Sequence, residues 1–304
     1  SLYSKQYEGK FGSSEELKKV RKYLVIHAVD YNGVVKALKN AKKIKYDSVA
    51  LSLGGPLKSH GAIKNLTIGK QTVKFRYSSS HPTSYLLSIA LLLALRDSLK
   101  KTVPVHILGL GSPILILLVG YLFKDFNFVT MDSTGPFTSD LNDDKIYSIS
   151  KMDLFNLAAY CIGSKKPFKG KSPYFKNFEN KYRPNWKKLF NYFKSTISAK
   201  NLNFKQKVNL IELELRKDTS LLKNNVPFLT PIKLANKKML PELTIARSFE
   251  NYWANISICM KLSSLSSGKA VTGYVTEQIE KYKFYASPNY FDAVMECKDM
   301  IENF

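Results

Sequence analysis

The stretch from Val105 to Ser133 constrains the fold more than any other part of the chain. Val105-His106-Ile107-Leu108 is an apolar-rich extended run, followed by Gly109-Leu110-Gly111-Ser112-Pro113. Gly109 and Gly111 permit a tight turn and a close backbone approach to a ligand. Pro113 suits the first turn of a helix. Ile114 to Phe123 carry no charge, so the helix they predict is largely buried. Phe128-Val129-Thr130-Met131 predicts a second buried strand, with Asp132 at its C-terminal tip. A strand, a crossover helix and a strand form the parallel unit of α/β proteins. Chemistry in such proteins collects at the C-terminal strand tips. An acid ending an apolar strand is costly unless it is paired or used. Asp132-Ser133-Thr134 would also serve as a helix N-cap, and spacing alone leaves both roles open.

The residues before this stretch repeat its pattern. Tyr23 to Val29 is a continuous apolar run, the kind buried on both faces of a parallel sheet, and it ends at Asp30. Asn32 to Lys43 has helical spacing, with Val34, Val35, Leu38 and Ala41 on one face. Asp47 to Leu53 predicts a strand ending at Gly54-Gly55. A polar excursion from Pro56 to His81 holds a hairpin pattern at Thr67 to Val73, and Ser84 to Leu99 predicts a buried helix. The fold class is therefore α/β. Its (β/α) repeats are either the C-terminal half of a TIM-type (β/α)₈ barrel or an open doubly wound sheet. In both, Asp30, Gly54-Gly55, Gly109-x-Gly111 and Asp132-Ser133 fall on one rim.

The character changes after residue 145. Residues 1–145 read as the barrel portion and 146–304 as a mainly helical, basic region. Helices are expected at Met152 to Ile162, Phe204 to Leu215, Leu243 to Leu262, Val275 to Tyr282 and Asn289 to Glu302. From Lys165 to Lys194 there are ten basic residues and one acid, Glu179, interleaved with aromatics. Lysines can track a phosphate backbone and aromatic faces can stack on unpaired bases. The bland alternative is an aromatic core beneath a solvated lysine face, and the pattern favours neither. Lys165, Lys166, Lys169, Lys171, Lys187 and Lys188 are the candidate nucleic-acid contacts. The whole chain carries 47 Lys and Arg against 24 Asp and Glu, a formal charge of +23, which favours a polyanionic partner.

Other features exclude functions. Cys161, Cys259 and Cys297 are far apart and form neither a disulfide framework nor a zinc motif, which predicts a reducing compartment and no metal. His27, His60, His81 and His106 show no metal-ligand spacing. The N-terminal residues do not read as a signal peptide, and Leu86 to Leu95 is too short to span a bilayer. A cytoplasmic protein without a cofactor is expected.

Two motifs resemble a known family. His106-Ile107-Leu108-Gly109-Leu110-Gly111-Ser112-Pro113, followed after one helix by Met131-Asp132-Ser133, resembles the last two barrel strands of tRNA-guanine transglycosylases. There an HLLGVG-like strand leads to a strand ending in the catalytic aspartate, and the archaeal branch has Asp-Ser. Leu51-Ser52-Leu53-Gly54-Gly55-Pro56-Leu57 resembles the family's A-I-G-G-L strand, whose backbone amides hold the base. Asp132-Ser133-Thr134-Gly135-Pro136 is closer still to the branch that inserts 7-deazaguanines into DNA. The resemblance covers roughly residues 22 to 136.

It implies exchange of guanine for a 7-deazaguanine such as preQ0 in DNA or tRNA. Asp132 would be the nucleophile. Asp30, Gly54, Gly55, His106, Gly109, Gly111 and Ser133 would line the substrate site. The family's D-S-G-G-F segment, with its second aspartate, is not in this sequence, nor is its C-x-C-x-x-C…H zinc set. The residues before Tyr23 are too few for four further strands. The expectation is therefore half of a longer or split protein, completed by an N-terminal segment or a partner chain, or a degenerate barrel. A non-catalytic nucleic-acid-binding subunit is the alternative function. A sugar- or nucleotide-binding α/β protein with phosphate-binding Gly turns is a third.

Overall fold

The computed structural model describes residues 22–53, 65–74, 80–133, 145–146, 150–151, 172–198, 201–217, 240–283, 286 and 288–304. Two units emerge. One comprises residues 1–110, 114–133 and 262–304, and the other residues 111–113 and 134–261.

The first unit is built on a parallel sheet. Its strands are β1 (Tyr23–His27), β2 (Ser48–Ser52), β5 (Val105–Leu108) and β6 (Val129–Asp132), and they lie in the order β1-β2-β5-β6. Between β2 and β5 the chain makes an antiparallel hairpin, β3 (Asn65–Ile68) and β4 (Gln71–Lys74), turning at Gly69 with φ 58°. Helices α1 (Tyr31–Asn40), α2 (Ser80–Ser98) and α3 (Pro113–Leu122) make the connections. A doubly wound sheet reverses its strand order at a switch point. Here the order is sequential, as in consecutive strands of a (β/α)₈ barrel, so the architecture is α/β and compatible with part of one.

Sequential order with right-handed crossovers places the connecting helices on one face of the sheet. That face presents Ile26, Val49, Leu51, Val105 and Ile107, all nearly fully buried. Pleat alternation and register put Tyr23, Val25, His27, Ser48, Ala50, Ser52, His106, Leu108, Thr130 and Asp132 on the other. β1 is therefore not buried on both faces: Tyr23, Val25 and His27 are exposed, because this strand has β2 on one side and no described strand on the other. β6 likewise is half-exposed rather than buried, with Phe128 just before it 50% exposed. An apolar run signals a strand without saying whether topology places it at an edge.

From Leu86 to Leu95 α2 is apolar except for Ser88, whose hydroxyl donates to the Ser84 carbonyl at 2.7 Å, and all ten of these residues are buried. Such a helix needs neighbours on every side. α1 packs on it, and so does the C-terminal helix α8 (Pro288–Asn303). Tyr85 of α2 sets its ring edge-on to Tyr290 of α8 at 5.8 Å. Tyr121 of α3 donates to Glu302 Oε1 at 2.7 Å, and Arg96 donates to the Ile301 carbonyl at 3.5 Å. α3 is buried along both faces, as its lack of charge predicts. α7 (Gly268–Tyr282) begins at Ser267, whose Oγ accepts from the Ala270 N–H.

In the second unit, α4 (Pro173–Ser198) starts at Ser172, whose Oγ accepts from the Phe175 N–H. α5 (Phe204–Lys217) opens with a reciprocal capping box between Asn203 and Gln206. α6 (Leu240–Ser263) is inverted in character. It buries Arg247, Ser248, Glu250, Asn251 and Asn255 while exposing Ile245, Phe249, Ile256 and Met260. Glu250 accepts from the Ser172 N–H at 2.8 Å, and Asn255 donates to the Gly111 carbonyl at 3.1 Å. Two short strands, β7 (Lys145–Ile146) and β8 (Ser150–Lys151), pair antiparallel. The helix expected at Met152 to Ile162 lies outside the described residues.

Candidate functional site

The ends of the four strands come into one row. His27 is paired with Ser52, Ser52 with Leu108, and Leu108 with Asp132. Asp132 thus stands at the C-terminal rim of the sheet, with its side chain 59% exposed. One step toward the strand N-termini, His106 pairs with Thr130 across β5 and β6. Because parallel register partners point to the same side, His106, Thr130 and Asp132 share the face that carries no connecting helix.

Their geometry is specific. Asp132 Oδ1 accepts from the Gly109 N–H at 3.0 Å. The Asp132 main-chain carbonyl accepts from the N–H groups of Gly109 and Leu110, both at 3.0 Å. Gly109 makes this approach with φ 85°, in the left-handed region where a side chain is disfavoured. The other carboxylate oxygen, Oδ2, is 3.6 Å from His106 Nε2. The second ring nitrogen, Nδ1, lies 2.7 Å from Thr130 Oγ1. His106 is only 25% exposed, and the Tyr23 ring stands edge-on to it at 6.1 Å. One carboxylate oxygen is therefore oriented by a backbone donor. The other faces an imidazole that a hydroxyl holds from behind. Such a carboxylate can attack an electrophile, and such a ring can hold or move a proton.

His106, Gly109 and Asp132 are thus brought together. Ser133 follows Asp132 directly and is half-buried. Gly111 offers its carbonyl to Asn255 within the second unit. Asp30 follows β1, where its Oδ1 caps α1 by accepting from the Gly33 N–H at 2.7 Å. Gly54 and Gly55 lie outside the described residues. Thr130 was not foreseen. Its signal is its position two residues before Asp132 on the same strand, and its meaning depends on the register with His106.

The basic segment resolves in part. Phe175 and Phe193 of α4 are buried, so these aromatics are core, whereas Tyr192 is 50% exposed. Lys176, Lys187, Lys188 and Lys194 are exposed on the same helix. Lys165, Lys166, Lys169 and Lys171 lie outside the described residues.

A cavity of about 540 Å³ in the first unit lies at the opposite end of the strands, lined by Arg96, Asp97, Lys101, Lys124 and Asp125 among others. Arg96 pairs with Asp97 and Lys101 with Asp125 in its lining, and it is remote from Asp132 along the strands. Among the described residues no group of three or more His, Cys, Asp or Glu is placed to hold a metal, and none of the helices is long and apolar enough to cross a membrane. Of the three cysteines, Cys297 is fully buried on α8, Cys259 is half-buried on α6, and Cys161 lies outside the described residues. Comparison with protein-family models, with curated proteins and with solved structures finds no match.

Proposed function

We propose that the chain is a guanine transglycosylase acting on nucleic acid, with DNA preferred and tRNA the other substrate. It exchanges guanine for a 7-deazaguanine through a covalent aspartyl-glycosyl intermediate. The observation that carries this reading is Asp132 at the rim of a sequentially ordered parallel sheet, with one oxygen on the Gly109 N–H and the other open beside His106. In this reading Asp132 Oδ2 attacks C1′ of a guanosine whose base has left its stack, and guanine departs. The incoming base then displaces the aspartate. Gly109 keeps the carboxylate aimed throughout. A partner chain or an N-terminal segment supplies the rest of the barrel and with it the far wall of the base pocket.

A second reading, a non-catalytic nucleic-acid-binding subunit, is favoured by the exposed lysines of α4. Incorporation of labelled preQ0 or guanine into DNA and tRNA separates the two. Asp132-dependent incorporation supports the enzyme, and binding without incorporation under any pairing of chains supports the subunit.

A further inference from the structure

We propose that His106 is the proton donor and acceptor of the base exchange, a reading that rests on Asp132 as the nucleophile. Departure of guanine needs a proton, and the entering base must lose one. Among the described residues His106 is the titratable side chain in contact with the attacking carboxylate, with Nε2 at 3.6 Å from Oδ2. The other groups facing the ring are Thr130 at 2.7 Å and the edge of Tyr23, while His27 sits on the same sheet face in the row of Asp132.

The steps balance. The cycle starts from an ionised Asp132 beside a protonated His106. As Oδ2 bonds to C1′, the C1′–N9 bond breaks and its electron pair goes to the guanine. Nε2–H supplies the proton to the departing base. Asp132 is then a neutral ester and His106 a neutral ring, so neither charge is left unpaired. The scheme assigns Nδ1–H as donor to Thr130 Oγ1 in both forms, which leaves Nε2 as the working nitrogen. In the second half N9–H of the entering base gives its proton to Nε2. N9 bonds to C1′, the ester bond breaks, and the starting charges return. Two carboxylates at this distance would repel. A histidine removes that conflict, and it performs the task for which the family uses a second aspartate.

The consequence is an opposite pH dependence of the two half-reactions. Formation of the covalent adduct on a guanine-containing oligonucleotide, which consumes the Nε2 proton, should slow as pH rises. Resolution of the trapped adduct by preQ0, which needs Nε2 free to take a proton, should slow as pH falls. His106→Asn should flatten both profiles and slow both steps by roughly 10²- to 10⁴-fold. Added imidazole should restore part of the rate to His106→Gly. Should His106→Asn not fold, Thr130→Val carries the test, because it keeps the ring and must displace both limbs together. Wild-type rates and limbs in His106→Asn, or unmoved limbs in Thr130→Val, overturn the proposal while leaving Asp132 as nucleophile. Failure of the wild-type chain to form any Asp132-dependent adduct overturns both.

Discussion

The exposed lysines of α4 allow a quantitative test of polyanion binding. At ~100° and ~1.5 Å per residue, Lys176, Lys187 and Lys194 fall within about 20° of one azimuth and span roughly 27 Å of helix. Lys188 stands about 120° around from Lys176. Phe175, Leu189, Phe193 and Ile197 occupy the buried side of the same helix. Each phosphate contact contributes about 0.7 to 0.9 to the slope of log affinity against log salt. If each lysine meets one phosphate, replacing all four by Gln should lower the slope by about 3. Between about 50 and about 200 mM salt, the wild-type chain should then lose roughly 60-fold more affinity than the variant. Fluorescence anisotropy with a labelled single-stranded oligonucleotide and with a duplex measures this directly. None of the four is in the core, so thermal stability should change little. A slope unchanged within about half a unit would refute the reasoning and make this face merely solvated.

Three further outcomes are expected. Gly109→Ala places a side chain at φ 85° and should destabilise by on the order of 1–2 kcal/mol in urea unfolding, while loosening the grip on Asp132; an unchanged midpoint contradicts this. Ser48 is fully buried with its Oγ unpartnered, so Ser48→Ala should stabilise by on the order of 1 kcal/mol, read as a higher urea midpoint at constant slope. The Lys298 and Tyr121 hydrogen bonds hold the Glu302 carboxyl below its ordinary value. Its contribution is therefore full above the ordinary carboxyl range and is lost as pH falls through the lower folded value. Being partly exposed, it should amount to no more than about 1 kcal/mol, visible as a wild-type advantage over Glu302→Gln at neutral pH that closes in acid.

Much of the first unit was legible in the sequence because its signals are local. The uncharged run in α3, the apolar run in α2 and the turn at Gly69 between β-branched pairs each specify their own element. The alternation of elements specifies parallel pairing. Edge status was not legible, because Tyr23, Val25 and Phe128 look like core residues until the strand order leaves β1 and β6 outermost among the described strands. Asp132 and Gly109 were legible as a strand tip and a turn. The role of Thr130 depends on a register between strands 24 residues apart, which no local pattern encodes. At Asp30 a local signal accounts for the geometry seen: Asp30-x-x-Gly33 is a cap, and its Oδ1 makes that bond. The inverted burial of α6 was also illegible, since its buried Arg247 and Glu250 and its exposed Phe249 and Met260 contradict the usual hydropathy pattern.

The most direct test is intact-mass measurement of the full chain after incubation with a guanine-containing oligonucleotide, repeated with Asp132→Asn. The wild-type chain should gain the mass of the oligonucleotide less one guanine, and preQ0 should discharge it. Asp132→Asn should bind the same oligonucleotide with similar affinity and form no adduct. An amide lacks the charge to attack C1′, a loss on the order of 4–8 kcal/mol in the barrier. An adduct of equal yield in Asp132→Asn would contradict the assignment. No adduct in the wild-type chain, alone or with a barrel-completing partner, would replace the enzyme with a binding subunit.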